Sequence, residues 1–117
     1  MNESILTSIK KLLGIEEDYE HFDADILMHI NTVLAILTQM GVGASDGFTI
    51  SDKSATWVEF LGENSNQLVG IRTYVYMKVR LMFDPPTSSA AIESMTKLAN
   101  ELEWRLHVAG DKTNIEG

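Results

Sequence analysis

The 117-residue sequence contains no cysteine. That excludes a disulfide framework, a thiolate metal site and a cysteine nucleophile together, and it is compatible with a reducing compartment. It has only two prolines, and they are adjacent, Pro85 and Pro86. Basic residues are few: nine Lys and Arg stand against seventeen Asp and Glu, a formal net charge of −8. Such a surface repels phosphate backbones and anionic lipid, so sequence-specific nucleic acid and membrane are not expected partners. Long hydrophobic runs are missing too. The longest nearly apolar run, VLAIL, is far too short to span a bilayer. The opening residues lack a basic leader followed by a long apolar core, so no signal peptide is predicted. There is no internal repeat or low-complexity segment.

What remains is a chain of ordinary hydrophobic content, 44%, and the length of one domain. Ile5, Leu6, Ile9, Leu12 and Leu13 are at helical spacing, with Lys10 and Lys11 in the last turn and Gly14 as the stop. A second helix is expected from an Asp23 N-cap to near Met40, burying Ile26, Ile30, Val33, Leu37 and Met40 and widened by Leu27 and Leu34. Residues 41–53 contain three glycines and an Asp46-Gly47 pair, which predicts a Gly-rich loop or a small β-hairpin. A short helix follows in SATWVEFLG, capped by Ser54 and stopped at Gly62. From about Asn66 to Phe83 the spacing is helical, but apolar residues run nearly all the way round. Such a helix is either the centre of a core or shared between a core and a partner, and in so small a domain sharing is the expectation. A last helix begins at Thr87, Ser88 or Ser89, carries Ile92, Met95, Ala99, Leu102 and Leu106 on one stripe, and is expected to stop at Gly110.

The prolines separate the last two helices. Proline lacks an amide hydrogen and pushes the preceding residue out of helical geometry, so the fourth helix must end near Phe83. Two in succession make a stiff corner. The expected fold is all-α: a compact bundle of four to five helices in one domain, residues 1–109, with a flexible C-terminal tail at 110–117.

No chemistry stands out. GVGASDG has neither the lysine nor the preceding buried strand of a phosphate loop, and reads as a turn. His21, His29 and His107 are not spaced as a helical metal pair. His21 with Asp23 and Asp25 could touch a divalent ion, but a solvated acidic turn is the favoured reading. The acidic run DYEHFDADILMH lacks the central glycine and terminal glutamate of a calcium loop. No catalytic residue, cofactor site or metal site is predicted, and the chain is not expected to be an enzyme.

The anomalies are aromatic and apolar. Trp104 lies opposite the stripe of the last helix, near Lys97, Glu101 and Val108. Trp57 sits in the short third helix, and Tyr74, Tyr76 and Phe83 occupy several sides of the fourth. Tryptophan off a core stripe is either covered by a neighbouring loop or marks an interface, where Trp, Tyr, Met and Arg are enriched. Trp57, Tyr74, Tyr76, Phe83, Pro85, Pro86, Trp104 and Arg105 are therefore interface candidates in a domain that works through its surfaces.

The segments FDADILMHINTVLAILTQMGVG, WVEFLG, LVGIRTYVYMKVRLMFDPP and ELEWRL together resemble the small head–tail connector (adaptor) proteins of tailed bacteriophages and prophages. The resemblance implies a helical, cofactor-free structural protein of the virion neck, assembled in the host cytoplasm. It implies a ring under the portal that extends the DNA channel and joins head to tail. The implied partners are copies of itself, the portal protein and the next head-completion or tail connector protein. In that setting Glu16, Glu17, Asp18 and Glu20 are candidates for an acidic surface facing the DNA channel, although a plain solvated face is the simpler explanation. The alternative is a small helical regulatory or DNA-packaging-associated module, which requires a basic recognition helix. Arg72, Lys78 and Arg80 of the fourth helix point in different directions and do not form one.

Overall fold

The fourth helix is the axis of the molecule. The computed structural model describes residues 3–43, 47–62 and 67–116, and in them five helices: α1 (Ile5–Leu13), α2 (Asp23–Gln39), α3 (Trp57–Leu61), α4 (Leu68–Phe83) and α5 (Ser89–Glu116). Helix α4 packs against α1, α2 and α5, which buries Ile71, Tyr74, Val75, Met77 and Val79 on several sides at once. Its all-round apolar character is thus accounted for mainly by its own chain, against the expectation of sharing. Val69 at 70% exposure and Met82 at 42% are the exceptions. Helix α2 buries the predicted stripe of Ile26, Ile30, Val33, Leu34 and Leu37.

Helix ends follow local chemistry. Ser4 accepts from the Thr7 amide at the start of α1, and Gly14 ends it at φ 83°, a left-handed conformation that glycine adopts without Cβ strain. Helix α4 ends at Phe83, just before the prolines, as predicted. Ser88 accepts from the Ala91 amide at the start of α5.

Other ends depart from expectation. Asp23 is the first helical residue of α2 rather than its cap, and it forms an ion pair instead. Ser54 does not cap α3: its N–H and hydroxyl donate to Asp52, while Thr56 and Glu59 form the reciprocal capping box. Helix α5 does not stop at Gly110 but continues to Glu116. At 1.5 Å per residue its 28 residues are about 42 Å long, matching the longest molecular extent of 42 Å.

The hairpin alternative is corrected. The Asp46 half of the turn signal lies outside the described residues, and residues 47–53 form no strand. Among the described residues the β pairing is a single isolated bridge between Ser4 and Thr56. The physical reason lies in Asn31 of α2. Its side-chain amide donates to the Ile50 carbonyl at 2.9 Å, and its carbonyl accepts from the Ile50 N–H at 2.8 Å. One side chain thus takes the place of a paired strand, and Ile50 is buried against the bundle.

Candidate interaction surfaces

Two of the expected interface residues belong to the core. Trp57 is 1% exposed, and its indole N–H donates to the Ser8 hydroxyl at 2.8 Å. Around it the N-terminal segment is sewn to α3: Ile5 N–H donates to the Ala55 carbonyl and Trp57 N–H to the Glu3 carbonyl. Tyr74 is fully buried between α4 and its neighbours. Burial, and secondarily the Glu103 carboxylate, pushes its phenol well above the ordinary value. Both side chains fill the interior of this chain and are not available to a partner. Single-residue wheels could not show this, because what covers them comes from α1 and α5.

The remaining candidates fall on two surfaces. The first is the corner where α2 begins and α4 ends. Phe83 stacks edge-to-face on Phe22, with ring centroids 5.3 Å apart, and lies 6.3 Å from His29. Phe22 in turn meets His21 at 4.8 Å and Tyr19 at 5.9 Å. A run of rings thus joins the acidic turn to the chain just before Asp84, Pro85 and Pro86, with Tyr19 half exposed. Tyr76 is half-buried, and its phenol oxygen accepts from Arg80 at 2.9 Å.

The acidic turn is built on a buried lysine. Lys10, 2% exposed, donates to the carbonyls of Glu17 at 2.9 Å and Tyr19 at 2.7 Å, and its ammonium lies 2.8 Å from Asp23 Oδ1. Its charge is used inward, which leaves Glu16, Glu17, Asp18 and Glu20 exposed around it. Helical spacing held a signal for this: Lys10 follows Leu6 by four residues and so sits on the buried side of α1.

The second surface is the outer face of α5. This helix rests on α4 through Ala99, Leu106 and the half-buried Ile92, Met95 and Leu102. On its other side Trp104 is 67% exposed and Val108 44%. Arg105 is exposed and bonds Glu101 one turn back at 2.7 Å.

A basic recognition helix does not form on α4. Arg72 pairs with Glu3 at 2.6 Å, and Arg80 bonds Tyr76. Among the described residues no group of three His, Asp or Glu side chains is placed to hold a metal ion, and no helix is long and apolar enough to cross a membrane.

Fold and surfaces together define a small helical protein whose distinctive chemistry lies on exposed faces. The sequence matches the family model described as phage connector protein over residues 5–113, nearly the whole chain. The chain belongs to the phage connector protein family, and is thus a bacteriophage head–tail connector and a structural component of the virion. No curated protein and no solved structure gives a significant match.

Proposed function

We propose that this connector acts without catalysis as one subunit of a ring beneath the portal, assembled in the host cytoplasm, which extends the DNA channel and presents a platform to the next connector or the tail. The observation that carries the reading is the family match across residues 5–113. A ring is a head-to-tail assembly, so two different patches of each subunit must meet. The chain offers two separate candidates: the aromatic corner ending in Pro85 and Pro86, and the α5 face bearing Trp104 and Arg105. The exposed carboxylates of Glu16, Glu17, Asp18 and Glu20 suit the channel side, where they would repel the phosphates of passing DNA.

The test is light scattering on purified chain with and without portal particles. A many-subunit assembly, or a stoichiometric complex with the portal, supports the reading. A chain that never exceeds a dimer and ignores the portal sinks it.

A further inference from the structure

The outer face of α5 carries a pattern that goes beyond the connector reading. Glu93, Lys97, Glu101 and Arg105 follow one another every four residues, so they form one row along the helix, inclined slightly to its axis. All four are exposed. The signs alternate along the row, and within the chain the pairs are Glu93–Lys97 at 3.5 Å and Glu101–Arg105 at 2.7 Å. In a chain of net charge −8 this row is electrically balanced, so two copies can approach here without the repulsion of the acidic surface.

We infer that this face pairs with the same face of a second copy, antiparallel, about a two-fold axis level with Ala99. In that register Glu93 faces Arg105 of the second copy and Lys97 faces Glu101, each contact occurring twice by symmetry. Every facing pair is opposite in sign. A parallel, in-register pairing puts like charge on like, and so does sliding the antiparallel copy by one turn. Of the registers along this row, the symmetric antiparallel one sets all four charges of each copy against opposite sign, which is why the charges favour it.

Side-chain size agrees independently. The same two-fold sets Trp104 against Ser94 of the second copy and Val108 against Ala90. The bulky residues lie in the C-terminal half of the face and the small ones in the N-terminal half, and all four are exposed. Exposed ion pairs add little affinity, so burial of Trp104 and Val108 supplies the attraction and the charged row sets the register. The pairing rests on the face itself and not on the connector reading. A free dimer of this kind would hide Trp104 until assembly.

Sedimentation equilibrium on the full chain tests the inference with three proteins: wild type, Lys97→Glu, and the exchange Lys97→Glu with Glu101→Lys. Wild type is expected to dimerise. The single variant sets a new carboxylate against Glu101 of the second copy, twice by symmetry. It should weaken the dimer by about tenfold or more, since like charges then face across the interface. The exchange variant restores opposite signs across the dimer and should recover most of that loss. Within the helix both variants leave one attractive and two repulsive neighbours four residues apart along this row, so recovery in the exchange reports the contact between copies and not repair of the helix. A monomeric wild type overturns the inference, as does a dimer indifferent to Lys97→Glu or one that the exchange fails to rescue. A many-subunit ring that leaves no dimer would overturn it while supporting the connector reading, so the two stand or fall separately.

Discussion

Lys10 Nζ and Asp23 Oδ1 lie 2.8 Å apart, joining the last turn of α1 to the first turn of α2. The lysine is almost completely buried, and it also binds two main-chain carbonyls of the acidic turn. One cation thus organises the whole link between the two helices. Lys10→Met should remove these bonds and leave Asp23 partly buried without its partner. The expected cost is about 2–3 kcal/mol, toward the low end for a broken buried pair because Asp23 keeps some contact with water. Urea unfolding measures it. A loss below experimental error would mean that the turn holds itself.

Asn31 is expected to matter more than its helical position suggests. Asn31→Ala deletes both bonds to Ile50 and strands a main-chain amide in a buried setting, at a cost of about 2 kcal/mol. Hydrogen exchange at the Ile50 amide should accelerate more than exchange in α4. Uniform acceleration would indicate global destabilisation instead.

Gly43 should resist even alanine. Its φ is +81°, and an added Cβ would lie 2.6 Å from the Phe60 ring. Left-handed geometry alone costs a non-glycine residue about 1–2 kcal/mol, and displacement of the ring adds to that. Gly47→Ala meets the same left-handed cost but open space, so Gly43→Ala should lower the melting temperature further.

Tyr74 makes stability sensitive to alkali. Its phenol is raised above the ordinary 10.0 in the folded chain, chiefly by burial, so the folded state holds its proton where the unfolded state releases it. The contribution is complete below the unfolded value and is lost as pH climbs from about 10 toward the folded value. Stability should therefore decline above about pH 10, and Tyr74→Phe should flatten that limb. An unchanged slope in the variant would assign the decline to other groups.

The proline corner separates folding from assembly. Replacing Pro85 and Pro86 with Gly-Gly loosens the link between α4 and α5 without removing a core side chain, since Pro85 is exposed and Pro86 half-buried. The expected result is near-native helical circular dichroism with reduced assembly on portal particles. Equal loss of both, or of neither, would reduce the corner to a helix stop.

Much of this protein was legible in local chemistry. The number of helices, the stripe of α2 and the stops at Gly14, Phe83 and Gly62 rest on spacing, proline geometry and glycine conformations that act within a few residues. The misreadings share a different origin. Trp57, Tyr74, Lys10 and Asn31 each make their decisive contact with another segment: Trp57 with Ser8, Tyr74 beside Glu103, Lys10 with Asp23, Asn31 with Ile50. Helical periodicity reports which face a residue occupies and not what arrives to cover it.

The sequence by itself determined the helical class, the acidic balance and the exposed position of Trp104, because these depend on composition and on the 3.6-residue repeat. Tertiary structure alone decided that α4 is packed against three helices, that residues 47–53 form no strand and are anchored at Ile50 by Asn31, and that two of the aromatic candidates are interior. Burial and hydrogen bonding between distant segments are settled only when those segments meet.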